Sequence, residues 1–219
     1  MPHRTDTPDT LGFRITHRAM RGDTRRLAAV TTEIAAARQS CDRVRATAIS
    51  TFITKLCDGI HHHHAMEDKV LWPVLERSAG AAVDLSDLSD DHSQLDPLLD
   101  ELRASAAAFL IDRTPAGRLA TLLGTLADLL DEHIEEEERT IFPIIEKYVS
   151  VSDWLTVETA VRKGGDAAFD LPRIAQYARP EELAQLKKIA GPVLSVMLAL
   201  TRRPHRRRQR LIFGPLATV

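Results

Sequence analysis

The feature that most constrains this chain is an internal repeat. Residues 63–77 recur with conservative changes as residues 133–147. His63 matches His133, Glu67 matches Glu137, Asp68 matches Glu138, and Trp72-Pro73 matches Phe142-Pro143. The preceding stretches align more loosely, with His17, Met20 and Leu27 against His92, Leu95 and Leu102. A unit used twice is a supersecondary element that buries its apolar face against its own copy. The two halves are therefore expected to fold alike and to face each other.

Through the first two thirds of the chain, apolar residues step by three and four, the period of a helix with one buried face. Four helices are predicted. The first covers residues 11–38, with Phe13, Met20, Leu27 and Ile34 on its seam. The second covers 42–77 along Ile49, Leu56, Ile60, Val70 and Val74, and the third covers 85–111 through Leu88, Leu95, Leu99, Leu102 and Phe109. The fourth covers 116–149 through Leu119, Leu122, Leu126, Leu129, Ile144 and Tyr148. Ser40 is the expected cap of the second helix, and Pro97 should kink the third or mark its first turn. The expected fold is all-α: an up-down four-helix bundle of two repeated helical hairpins over residues 11–149. Residues 1–10 are expected to be a flexible N-terminus. Residues 150–201 are expected to be a helical C-terminal extension, with helices near 151–162 and from Pro180 to about residue 200. Residues 202–219 are expected to be a mobile, arginine-rich tail.

Six polar residues fall on the apolar seams. His17 lies between Phe13 and Met20, and His92 between Leu88 and Leu95. His63 with Glu67, and His133 with Glu137, continue the seams of the second and fourth helices. In a hairpin, levelling His17 with His63 puts the turn at residue 40, and levelling His92 with His133 puts it near 112; both are breaks in the pattern. The pairs then lie about 34 Å and about 31 Å from their turns, at 1.5 Å per residue. The four-residue spacing sets each His and Glu one turn apart on one face. Two carboxylates buried without partners cost more than a domain of this size can spare, and a bound cation removes the difficulty. Four imidazoles and two carboxylates suit iron, manganese or zinc, and are too rich in nitrogen for magnesium or calcium. The simplest arrangement is two metals, each with two histidines, sharing Glu67 and Glu137. Glu136 and Asp96 are further candidates. Of the run from His61 to His64, only His63 has the seam position, so His61, His62 and His64 are expected to be exposed or behind the ligands. Asp68 and Glu138 read equally well as surface ion-pair partners.

With these elements in order, the chain resembles the hemerythrin-like, or HHE cation-binding, family over about residues 11–149. His17, His63 with Glu67 and Trp72-Pro73, His92, and His133 with Glu137 and Phe142-Pro143 carry the resemblance. It implies a four-helix bundle around a carboxylate-bridged, non-haem pair of iron ions joined by an oxo or hydroxo group. It implies as ligand a small oxidant: dioxygen, peroxide or nitric oxide. Peroxide disproportionation is the first expectation if turnover occurs. The alternative is a non-catalytic iron or redox sensor acting through a partner or the basic tail. The invertebrate oxygen carriers of the family have a second histidine four residues after the first on their third helix. Here Asp96 stands in that place, which implies one fewer histidine and reaction with oxidants rather than reversible carriage.

Composition bounds the rest. Two cysteines in 219 residues exclude a disulfide framework. The polar N-terminal residues carry no secretory signal, no uninterrupted apolar run suggests membrane insertion, and the expected location is cytoplasmic. Arg202, Arg203, Arg206, Arg207, Arg208 and Arg210 concentrate positive charge in a chain whose net charge is −2. No nucleic-acid-binding motif accompanies them, so nucleic acid is not an expected partner. A monomer or a homodimer is expected.

Overall fold

The computed structural model describes residues 7–214. Among them every regular element is helical: α1 (Leu11–Ala35), α2 (Arg43–Met66), a π-helical turn (Glu67–Leu71), α3 (Trp72–Ala79), a short 3₁₀ turn (Gly80–Ala82), α4 (Ser86–Ile111), α5 (Ala116–Tyr148), α6 (Val151–Arg162), α7 (Ala167–Tyr177) and α8 (Pro180–Phe213). The long helices come from the 3–4 apolar steps. Among these four, α1 lies chiefly along α5 and α2 along α4, with α4 also against α5.

Local chemistry sets the boundaries. Asp42, not Ser40, caps α2, its carboxylate accepting from the Arg45 amide at 2.8 Å. Ser150 and Asp166 cap α6 and α7 in the same way. Pro97 lies inside α4 and neither opens nor ends it. On α5 the buried stripe is displaced from the expected one. Leu123, Leu130, Ile141 and Ile145 are buried, whereas Leu129 is 37% exposed, because 3.6 residues per turn drift from a strict 3.5 repeat over so long a helix.

The apolar interior falls into two clusters. One contains Leu27, Ile49, Phe52, Leu56, Ile60, Leu95, Leu99, Leu126 and Ile134; the other contains Leu71, Trp72, Leu75, Leu88, Ile141, Phe142, Ile145 and Trp154. Between them lies a polar layer, described below.

The C-terminal third differs most from expectation. Helix α7 was not foreseen, because Pro172 and the paired glycines before it read as breaks. It lies so close to α1 that any side chain at Gly22 would collide with the Tyr177 ring. Tyr177 donates its hydroxyl to the fully buried Asp23 at 2.9 Å, and Arg173 donates to the same carboxylate. The arginines expected in a mobile tail lie on α8, which runs to Phe213 and inserts Ile212 and Phe213 into the first apolar cluster. Arg45 holds that end through the Ile212 carbonyl at 2.8 Å. Gly191, at φ 68°, kinks α8 just before Pro192. One 18-residue stretch of α8 has a mean hydropathy of 1.4 and none of it is buried, so by length and composition alone it is apolar enough to cross a membrane. At the other end, Asp9 accepts from the Trp154 indole at 3.0 Å, and Pro8 and Thr10 are buried. Residues 8–10 are thus packed, while residues 1–6 of the expected flexible N-terminus, and 215–219 of the expected tail, lie outside the described residues.

Candidate metal centre

The polar layer contains all six residues singled out by the seams, each buried: His17 on α1, His63 on α2, Glu67 at the start of the π turn, His92 on α4, and His133 with Glu137 on α5. A seventh joins them. His64 is only 3% exposed and stacks on His92 with ring centroids 4.3 Å apart. Ligand atoms of His17, His63, Glu67 and Glu137 lie within 4.8 Å of one another, and so do those of His64, His92 and His133. The two groups are joined through the carboxyls: His63 Nε2 is 2.8 Å from Glu67 Oε1, and His92 Nε2 is 3.5 Å from Glu67 Oε2. Glu137 Oε2 is 3.3 Å from His17 Nε2 and 4.0 Å from His133 Nε2.

Behind the imidazoles stand carboxylates supplied from other helices. His17 donates from Nδ1 to Glu138 at 3.0 Å, and His92 donates from Nδ1 to Asp68 at 3.0 Å. His133 donates from Nδ1 to Asp91 at 3.2 Å. A carboxylate accepts and cannot give, so each bond puts the proton on Nδ1 and leaves the Nε2 lone pair facing inward. Outer carboxylates of this kind orient ligating histidines and raise their basicity. The aromatic-Pro pairs close the layer from the same directions. Trp72 stacks on His92 at 6.0 Å, and Phe142 on His17 at 6.2 Å. Each half therefore supplies the acid and the aromatic ring that hold the other half's lone histidine.

Compared with known protein families, residues 13–145 match the hemerythrin HHE cation binding domain. The chain belongs to this family. Searches among curated proteins and among solved structures found no match.

The hemerythrin HHE assignment fits what this layer lacks. The buried Nε2 atoms of His92 and His133, Nδ1 of His64, and both carboxyl oxygens of Glu67 and of Glu137 find no hydrogen-bond partner in conventional geometry. Orphaned lone pairs at such a density are costly unless a cation collects them. Burial pushes Glu67 and Glu137 well above the usual carboxylate range, and for Glu137 the neighbouring Glu67 carboxyl adds to it. Burial pulls His63 down to about 3 and His133 to about 4, and the His92 ring pushes both the same way. His64 and His92 are lowered by burial as well. Without a cation, burial therefore favours neutral imidazoles at His63, His64, His92 and His133 and neutral carboxylic acids at Glu67 and Glu137. A divalent cation would restore the carboxylates and take up the imidazole lone pairs.

Several expectations change here. His64, expected outside the ligand set, faces into it, and the count of imidazoles rises from four to five. The deficit of one histidine therefore disappears. Asp96 is 47% exposed and pairs with His61 at 2.9 Å, and Glu136 is 51% exposed and pairs with Arg139, so neither belongs to the layer. Glu138 and Asp68 are positioning groups rather than surface ion-pair partners. One signal was available for His64: it stands one residue after His63, on a helix with adjacent apolar pairs at Phe52-Ile53 and Leu56-Cys57 that mark a broad interior face.

The layer is reached from outside at His63. A cavity of about 720 Å³ opens between α1, α2 and the segment 161–174, and His63 lies at its lining beside Met20, Leu56 and Ile60. Lys55 pairs with Asp166 beside it, and His62 donates to the Val161 carbonyl at 3.0 Å.

Proposed function

We propose that the chain is a non-haem di-iron protein of the hemerythrin HHE family that binds or reacts with a small oxidant: dioxygen, peroxide or nitric oxide. In this reading α1, α2, α4 and α5 are the up-down four-helix bundle of the family. The observation that carries it is a buried layer of five imidazoles and two carboxyl groups in which His64 Nδ1, His92 Nε2, His133 Nε2 and all four carboxyl oxygens have no hydrogen-bond partner. Iron suits this nitrogen and oxygen donor set and supplies reversible one-electron chemistry, which zinc does not; manganese is the nearer rival. His17 and His63 would hold one ion and His64, His92 and His133 the other, with Glu67 and Glu137 spanning the two.

The remaining residues act without taking part in electron transfer. Glu138, Asp68 and Asp91 fix the tautomer and direction of three imidazoles. Trp72, Phe142 and Phe13 exclude bulk water. The cavity beside His63 admits a small ligand to one side of the pair, and its wall carries Lys55, Asp58, His62, Asp166 and Asp170 as titratable side chains. A reaction that needs no second organic substrate, such as peroxide disproportionation, fits a site of this kind. The test is peroxide decomposition by iron-loaded protein beside an equal concentration of free iron. Faster turnover by the protein, abolished in Glu137→Ala, supports the catalytic reading. Stoichiometric iron with no turnover leaves the sensor, and stoichiometric zinc after growth in iron contradicts both.

A further inference from the structure

Away from the metal layer, the kink at Gly191 folds the two arms of α8 around α7 and leaves a groove of about 880 Å³. That volume suits a small organic ligand and exceeds what solvent ions need. Its lining is cationic: Lys187 comes from the first arm, and Arg202, Arg206 and Arg210 come from the second, with no aspartate or glutamate among the lining residues. None of these four forms an ion pair among the described residues, although most other arginines of the chain do. The three arginines recur at every fourth residue, so they stack along one face of the helix and repel one another. At the base of the groove lies Gln209, 6% exposed, with neither atom of its amide hydrogen-bonded. Beside it His205 donates from Nε2 to Gln176 at 2.8 Å, which fixes the wall.

A buried amide without a partner and stacked guanidinium groups without counter-charge are both relieved by one kind of ligand. We infer that this groove binds a phosphoryl anion, carried by a small molecule large enough to fill it. Guanidinium forks match phosphoryl oxygens in geometry as well as charge, and the Gln209 amide donates to a further oxygen. The site is independent of the metal layer, and its failure would leave the proposed function untouched.

The test uses the full-length protein, with inorganic pyrophosphate as a soluble probe and phosphatidylglycerol vesicles as a headgroup probe. Binding is read by calorimetry and co-sedimentation at constant ionic strength. Arg202→Gln/Arg206→Gln removes the groove charge, and Arg203→Gln/Arg207→Gln removes equal charge from neighbouring exposed positions that do not line it. All four side chains are exposed, so both variants should keep their helicity, checked by circular dichroism. Gln209→Glu places a negative charge at the base. The expected result is saturable binding of a probe, weakened by about tenfold or more in Arg202→Gln/Arg206→Gln and in Gln209→Glu, and unchanged in Arg203→Gln/Arg207→Gln. Binding of pyrophosphate assigns a soluble ligand, and binding of vesicles alone assigns a lipid headgroup. No binding of either probe, or equal weakening in the two arginine variants, overturns the proposal.

Discussion

The two copies of the repeat have nearly the same sequence and do not have the same structure. In the second copy, α5 runs unbroken from His133 past Phe142, and His133 and Glu137 face inward as a plain i, i+4 pair. In the first copy the helix loosens into a π turn at Glu67–Leu71, directly after the histidines. The burial pattern is nonetheless the same in both copies: Leu71 and Trp72 are buried like Ile141 and Phe142, and the adjacent His63 and His64 both face the interior like His133 and Ile134. The matching position in the second copy is Ile134, which is buried among apolar neighbours. A π turn inside an α-helix is commonly found at functional sites. The inequality of the layer comes from the side chain itself: a histidine at position 64, where the second copy has Ile134, leaves two imidazoles in one group and three in the other.

This comparison can be broken most severely at the residues common to both halves. Glu67→Ala and Glu137→Ala should each lower metal affinity by about a hundredfold or more, because the outer carboxylates alone are worth 10–100-fold in such sites. Metal content after dialysis checks this. A more selective break is His64→Ile, which gives the first half the side chain of the second. It should leave about one ion per chain where the parent holds two, while His61→Ala, at an exposed position, should leave both. Asp68→Asn and Glu138→Gln should each weaken metal binding by roughly tenfold through loss of a defined imidazole orientation. Asp91→Asn should cost less, since its bond to His133 is the longest of the three at 3.2 Å.

The smallest effect is on the stability of the metal-free protein. His63 and His133 ionise near 3 and 4 in the folded chain, below the ordinary 6.5. The unfolded chain therefore binds more protons in that interval, and this contribution to stability is lost as pH falls below about 6.5. Glu67 and Glu137 have the opposite sign. Their folded values lie above the ordinary 4.5, so their contribution is present below 4.5 and is lost as pH rises through the folded values. Bound metal keeps the carboxylates ionised, so the loss on the alkaline side should vanish and loading should release protons. Thermal melts of chelated and loaded protein across the pH range check both signs.

Most of the site was legible because its residues interrupt a strong apolar period. His17, His63, Glu67, His92, His133 and Glu137 are polar where the seam demands apolar side chains, and all six meet in one layer. His64 was harder to read, since a helix carries position 64 about 100° away from position 63. The interior face of α2 is broad enough to bury adjacent pairs, Phe52 with Ile53 and Leu56 with Cys57 as well as His63 with His64. The roles of Asp68 and Glu138 were hidden for a related reason: they act across helices, on histidines of the opposite half. In the C-terminal third, Pro172 reads as a breaker, yet it lies inside α7. The arginines of α8 read as a solvated tail because the residues that dock it, Ile212 and Phe213, come after them. Ile212 and Phe213 carry that end of the helix into the core against Phe52.

The most direct test of the proposed two-metal reading of this layer is the iron content of the purified protein beside His64→Ile, measured by elemental analysis with the near-ultraviolet absorption recorded on the same samples. About two irons per chain in the parent, with an oxo-to-iron band that disappears as the variant falls to about one, is the expected result. Equal iron in both proteins, or a single tightly bound zinc in the parent, would contradict it.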